Sequence, residues 1–175
     1  MLKNYIFCPQ CAKPLLEEER GGQLRKVCPD KSCGFVYWNN PIPVVCAIVE
    51  RDGHLILVQS IGWPKSWYAL VTGFLERGEE PDEAVLREVK EETGLDAEIG
   101  SFVGMYKFYR RNQILMVYHV VAKEGEIVID ESELTGYKLV PIEEVQPWPA
   151  GTGIGLRDWL RTRGIERDFM EFPKS

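Results

Sequence analysis

The chain has 175 residues, 45% of them apolar and 11% aromatic, which is enough for one ordinary domain with a small appendage. Its formal net charge of −6 argues against gripping long nucleic acid by blanket phosphate neutralisation. No stretch approaches the roughly 20 apolar residues of a membrane helix, and the run before Cys8 is too short for a signal peptide, so the expectation is a cytoplasmic protein with no membrane partner.

Residues 1–40 hold four of the five cysteines and little hydrophobic periodicity. Cys8-Pro9-Gln10-Cys11 and Cys28-Pro29-Asp30-Lys31-Ser32-Cys33 form C-x2-C, a sixteen-residue spacer and C-x4-C. Two such knuckles suit a zinc ribbon, with Zn²⁺ held tetrahedrally by Cys8, Cys11, Cys28 and Cys33. Four thiolates leave no open position, so the role expected of that ion is structural. A disulfide pair and a ribbon that has lost its metal are the competing readings. Cys46 falls in an apolar run and reads as a small core residue.

Asn39-Asn40-Pro41-Ile42-Pro43 marks a boundary, giving a ribbon over 1–40, a larger domain over 41–163 and a tail over 164–175. Val44–Val49 predicts a strand, Arg51-Asp52-Gly53 a turn and His54–Val58 the returning strand. A further short strand is expected over Trp67–Val71. Pro81 to Gly94 predicts a helix: proline and acids in the first turn, Val85, Leu86 and Val89 as its buried stripe, and glycine after its end. Strands are expected over Phe102–Tyr109, Ile114–Ala122 and Tyr137–Val140. A last helix over Ile154–Arg163 presents Leu156, Trp159 and Leu160 on one side. Ile165 onward carries no clear signal.

At about 100° per residue, Glu88, Glu91 and Glu92 fall within about a 100° arc of the predicted helix, and Arg87 can pair with Glu91. Carboxylates crowded on one face repel each other unless a cation sits among them, and hard divalent ions such as Mg²⁺ take oxygen ligands together with phosphate oxygens. A solvated acidic face is the bland alternative. The loop before the helix decides against it. Five residues separate Gly73 from Glu79, and seven more separate Glu79 from Arg87-Glu88; then follow Val89, Lys90, Glu91-Glu92, Thr93, Gly94 and Leu95. Seven positions specified by residue type match together, which chance allows at one site with a probability below about 10⁻⁸.

This pattern resembles the box of the Nudix hydrolases, G-x5-E-x7-R-E-U-x-E-E-x-G-U with U apolar. The resemblance implies an α/β fold, an α/β/α sandwich with a mixed sheet, carrying the box as a loop–helix–loop. It also implies hydrolysis of a diphosphate bond with Mg²⁺ or Mn²⁺ as cofactor. Carried over, Glu88, Glu91 and Glu92 would hold the metal, one of them doubling as general base, with the Gly73 carbonyl contributing. Arg87 and Glu79 would brace the loop.

A ribbon followed by the box, and the approach Leu70-Val71-Thr72-Gly73-Phe74, are similar to the NADH pyrophosphatase branch. That likeness implies a further metal-binding acid at Glu133, whose other reading is an exposed loop acid. The branch's S-Q-P-W-P-F-P-x-S motif is absent: Gly104 to Arg111 stand in its place, and Gln146-Pro147-Trp148-Pro149 comes about forty residues too late. NADH specificity therefore does not carry over. Trp67, Phe108, Tyr109, Arg110 and Arg111 are candidates to stack a base and hold a phosphate, against readings as core aromatics and a polar hairpin end.

The expected substrate is a small nucleotide of the NADH, ADP-ribose, FAD or sugar-nucleotide type. The alternatives are a nucleoside triphosphate or RNA 5′ end, or, in another class, a ribbon binding module beside an inactive Nudix scaffold. Family habit favours a homodimer.

Overall fold

The computed structural model describes residues 5–171. The chain divides between Pro41 and Ile42 into two compact units. Met1 to Asn4, which open the run weighed above as a leader, lie outside the described residues, as do residues 172–175.

The first unit is a three-stranded antiparallel sheet, β1 (Leu16–Arg20), β2 (Gln23–Val27) and β3 (Val36–Tyr37), in that order. Gly21 and Gly22 make the β1–β2 turn with φ of 60° and 74°, a backbone that side chains with a Cβ rarely adopt. So small a unit buries little: among the described residues Cys8, Val27 and Cys28 are its buried apolar ones, while Leu16 and Leu24 stay exposed. Arg25 stacks on Trp38 with 4.9 Å to the ring centre.

The second unit is a six-stranded mixed sheet between two helices. Its strands are β4 (Ile42–Arg51), β5 (His54–Ser60), β6 (Val71–Phe74), β7 (Ala97–Phe108), β8 (Gln113–Ala122) and β9 (Leu134–Pro141). They run β7-β8-β4-β5-β9, with β6 also on β4, and only β4 and β8 pair in parallel. The central strand β4 is bounded on one side by β8 and shared on the other: β6 pairs with Val44–Ala47 and β5 with Val49–Arg51. A strand covered on both faces should be apolar at successive positions, and Val44 through Val49 all are. Val44, Cys46 and Ile48 join one core layer with Leu156, Trp159 and Leu160 of helix α2 (Thr152–Thr162). Val45, Ala47 and Val49 join the other with Ala84, Val85 and Val89 of helix α1 (Pro81–Thr93). Each fully buried valine contributes roughly 1.5–3 kcal/mol of transfer free energy, so Val85 and Val89, with Ala84 beside them, clamp α1 to the sheet.

Asp52 and Gly53, with φ of 48° and 73°, form the two-residue turn between β4 and β5. The strand expected over Trp67–Val71 is displaced. Pro64 to Trp67 form a turn, Ala69 makes one isolated bridge to Val58, and pairing with β4 begins at Val71. Pro64, whose carbonyl accepts from Trp67 N–H at 2.9 Å, starts that turn. β7 starts five residues earlier than expected, at Ala97. Beyond α2 the chain packs back: Ile165 joins the α2-side core, Phe169 lies 4.0 Å beneath the Arg157 guanidinium, and Met170 N–H donates to the Pro147 carbonyl at 2.8 Å. Among the described residues no helix is long and apolar enough to cross a membrane.

Candidate active site and thiolate cluster

The acidic site begins where β6 leads into α1. Gly73 pairs with Val45, so its missing side chain faces α1, and a Cβ there would lie 1.7 Å from the Glu88 carboxyl carbon. Glycine at this position is what lets the Glu88 carboxylate lie against the strand. Pro81 takes the first helical turn, and Gly94 ends the helix in the left-handed conformation at φ 73°, its N–H bonding the Lys90 carbonyl.

Arg87 is the organiser of the loop. Its Nε and Nη2 donate to the two Glu79 carboxylate oxygens at 2.6 and 3.1 Å, and Nη1 reaches Glu88 and Glu91, both at 2.8 Å. Nη2 also donates to the Phe74 carbonyl, and Glu79 accepts from the Glu76 N–H. This fork–fork pairing holds the Glu79 carboxyl below its ordinary range and ties the loop to the helix.

Glu92 is the anomaly. It is 6% exposed, and its Oε2 is buried without a hydrogen-bond partner. Burial, reinforced by the charges of Glu88, Glu133 and Asp130, pushes its pKa up to about 8 although the Thr72 N–H opposes the rise. Burial also raises Glu88, with the charges of Glu91 and Glu133 adding to the rise and Arg87 opposing it. Glu133, an exposed residue some forty positions along the chain, thus bears on both box glutamates, while Glu91 points to solvent. A carboxylate buried unpaired is costly unless a cation compensates it. The donor set, all carboxylate oxygen, suits a hard divalent ion.

The candidate substrate residues are placed less uniformly. Trp67 is exposed in the β5–β6 loop, where its carbonyl accepts from Gln59. Phe108 turns to the α2-side core, opposite α1, while Tyr109, Arg110 and Arg111 form a single exposed 3-10 turn at the β7–β8 tip. That tip stands by Ile42, which pairs with Gln113, two residues along β4 from the partner of Phe74. Asp130 and the Thr72 N–H are the features the sequence reading passed over. The Asp-x-Ser step ahead of Glu133 was the available signal for the first; nothing local announces the second.

In the first unit the four cysteine sulfurs lie within 4.8 Å of one another, with Cys8 to Cys33 at 3.6 Å and Cys11 to Cys28 at 3.4 Å, and none forms a disulfide. A tetrahedron of thiolates about 2.3 Å from an ion has edges of just under 4 Å, so the group is able to hold one metal. Ala12 at φ 59° and Gly34 at φ 67° close the two knuckles, and Lys13 pairs with Asp30 at 2.7 Å to join them. Burial raises the Cys8 thiol, but the backbone N–H groups of Gln10 and Cys11 and the neighbouring thiols bring it down to about 7. Cys28 is pushed up to about 12 by burial, with its neighbours adding to the rise.

Known proteins resemble this chain in sequence and in fold. An NAD-capped RNA hydrolase NudC of Stutzerimonas stutzeri (strain A1501) is 26% identical over 87% of this chain and 54% of its own length. The mitochondrial NAD(P)H pyrophosphatase NUDT13 of Mus musculus is 30% identical over 81% of this chain and 40% of its own. The chain spans about half the length of the curated relatives it matches. A NUDIX hydrolase from Nitrosomonas europaea shares the fold with a TM-score of 0.73 at 21% identity, covering 95% of this chain and 97% of that one. The family model described as the NUDIX domain matches residues 40–161, well over half of the 175 residues, and the chain belongs to that family.

Proposed function

We propose that the chain is a divalent-metal-dependent pyrophosphohydrolase that splits the diphosphate bond of a nucleoside diphosphate derivative such as NADH, ADP-ribose, FAD or a sugar nucleotide. The observation that carries this reading is the buried Glu92 carboxylate with an oxygen left unpartnered among Glu88, Glu133 and Asp130. Mg²⁺ or Mn²⁺ would be held by Glu88, Glu91, Glu92 and Glu133 together with the Gly73 carbonyl, and when bound supplies an activated water and neutralises phosphate charge. Arg87, saturated by Glu79, Glu88, Glu91 and the Phe74 carbonyl, keeps these carboxylates in place and does not reach outward for substrate. One box glutamate takes the proton of the attacking water. Trp67 and Tyr109 offer faces for a base, and Arg110 with Arg111 offers charge for a phosphate at the hairpin tip. Phe108 backs that tip from within the core.

The thiolate cluster holds one structural Zn²⁺, as the sulfur spacing and the absence of a disulfide support. A cytoplasmic, homodimeric enzyme is the accompanying expectation. A second substrate reading, a capped RNA 5′ end, is favoured by the relatives named NAD-capped RNA hydrolase, and the net charge of −6 weighs against it.

The deciding experiment compares kcat/KM for NADH, ADP-ribose, FAD, a sugar nucleotide, NAD-capped RNA and the common triphosphates under one metal condition. A diphosphate-linked substrate should lead and yield a nucleoside monophosphate. A triphosphate ahead of all of them tenfold, about 1.4 kcal/mol of transition-state preference, overturns the assignment.

A further inference from the structure

Between Val128 and Leu134 a short acidic loop is pinned at three places. Val128 N–H donates to the Thr93 carbonyl at 3.0 Å, one residue past Glu92 on α1. At the other end the Glu133 carbonyl accepts from the Ile61 N–H at 2.8 Å. Between them Asp130 Oδ1 accepts from both the N–H and the hydroxyl of Ser132, at 2.8 and 2.6 Å. The Asp130 carbonyl accepts in turn from the N–H of Glu133 at 3.1 Å and of Leu134 at 2.8 Å. The Glu133 backbone is therefore fixed on both sides, and its direction is set by the Asp130 turn.

The same device occurs in the first unit. Asp30 Oδ1 accepts from the N–H and hydroxyl of Ser32 at 2.9 and 2.6 Å, and the Asp30 carbonyl accepts from Cys33 at 3.0 Å and Gly34 at 3.2 Å. Asp30-Lys31-Ser32-Cys33 and Asp130-Glu131-Ser132-Glu133 are one turn used twice, each presenting a candidate metal-binding side chain three residues after the aspartate. In the thiolate cluster that side chain demonstrably arrives among its partners, with Cys33 Sγ 3.6 Å from Cys8 Sγ.

We propose that Asp130 is a positioning residue, which through its turn with Ser132 aims Glu133 at the metal held by α1, and is not itself a ligand. This rests on the metal assignment under Proposed function. Both Asp130 Oδ1 bonds need only an acceptor, so an amide oxygen can replace the carboxylate, whereas a ligand's negative charge has no such substitute. Hydrogen-bond partners that orient metal-binding groups typically carry 10–100-fold in metal affinity.

The test is calorimetric titration of Mn²⁺ into the full chain with its thiolate cluster loaded, for the wild type, Asp130→Ala, Asp130→Asn, Glu133→Gln and the Asp130→Ala/Glu133→Gln pair. Asp130→Ala should weaken Mn²⁺ roughly tenfold, as Glu133→Gln does, and Asp130→Asn should recover most of that loss. The double variant should bind within about twofold of Glu133→Gln alone, because both changes disable one side chain. Should Asp130→Ala fold poorly, Ser132→Ala, which deletes only the hydroxyl contact, must show a smaller loss that vanishes in the Glu133→Gln background. Equal weakening by Asn and Ala would make Asp130 a ligand, and additive losses would sever it from Glu133; either overturns the proposal. A wild type that binds no Mn²⁺ refutes the metal assignment itself, whereas normal binding by Asp130→Ala in an otherwise Mn²⁺-binding protein refutes the positioning role alone.

Discussion

Glu92→Gln tests whether the acidic site is held in an unfavourable state that a cation relieves. The carboxyl is 6% exposed with one oxygen unpartnered, and burial together with Glu88, Glu133 and Asp130 moves its pKa from 4.5 to about 8. An acid whose pKa is raised in the fold binds its proton more tightly there than in the unfolded chain, so stability falls as pH climbs from 4.5 towards 8. At pH 7 the folded protein still holds a proton that the unfolded chain has released, at a cost of about 3 kcal/mol at 1.36 kcal/mol per unit. Glutamine is neutral at every pH, keeps the volume, and can still accept from the Thr72 N–H. In buffer stripped of Mg²⁺ and Mn²⁺, with the ribbon ion retained, Glu92→Gln should be more stable than wild type by about 3 kcal/mol at pH 7 and by under about 1 kcal/mol at pH 5. Urea unfolding followed by tryptophan fluorescence reads both values. Adding Mg²⁺ to a hundred times its dissociation constant should stabilise the wild type by about 2.7 kcal/mol and the variant far less, closing the gap. Turnover of the variant should be down roughly 10²-fold or more. A variant no more stable than wild type at pH 7, or one whose advantage ignores pH, would refute the argument.

Gly73→Ala places a methyl carbon where the Glu88 carboxylate lies, so that side chain must swing away. We expect about a 10²-fold fall in kcat/KM from displacing a reacting-site group, with a stability change no larger than the roughly 1–3 kcal/mol of overpacking, read from steady-state kinetics beside thermal melts. Cys8→Ser should abolish the expected single zinc per chain by elemental analysis while Mn²⁺ binding at α1 persists; full zinc content in a Cys8/Cys28 double serine variant would contradict the ribbon assignment. His119 packs beside Trp159 with its Nε2 on Glu50, which also takes Arg163, and burial lowers its pKa below 6.5. A base depressed in the fold contributes stability that is complete above its unfolded value and lost as pH falls below it. The wild type should therefore lose ground to His119→Gln from pH 6.5 downward in paired urea titrations, and a constant difference between pH 7.5 and 5 would exclude the effect.

Where information in the chain is local, the sequence was legible almost to the residue. Helix α1 runs Pro81–Thr93 because proline, a buried triad and a terminal glycine all act within one element, and the glutamate spacing is read along the same helix. The Asp52-Gly53 hairpin is equally self-contained. Tryptophan and tyrosine at 67 and 68 suggested a strand on composition, but pairing needs a neighbour, and the segment of β4 left open by β5 accepts only Val71–Phe74. The early part of β7, Ala97-Glu98-Ile99-Gly100-Ser101, hid its strand character because it is an exposed edge segment broken by a bulge between Ile99 and Ser101.

Facing is harder to read than pairing, because a strand alternates with period two and one inserted residue exchanges its faces. Phe102 stacks with Tyr118 on the α1 side, ring centres 5.0 Å apart, so an unbroken strand would send Tyr106 and Phe108 to that side as well. The bulge between Phe102 and Gly104 reverses the alternation, and both rings enter the α2-side core, where Tyr106 bonds Asp158 at 3.1 Å. Phe108 therefore supports the hairpin tip from behind, and its substitution by leucine should cost stability before it costs substrate affinity. The exposed turn that follows, Tyr109–Arg111, keeps its side chains free of the core. On the substrate reading proposed above, Arg110→Ala should therefore raise KM for a nucleotide substrate while leaving the thermal melt unchanged, and an unchanged KM would remove the turn from the substrate site.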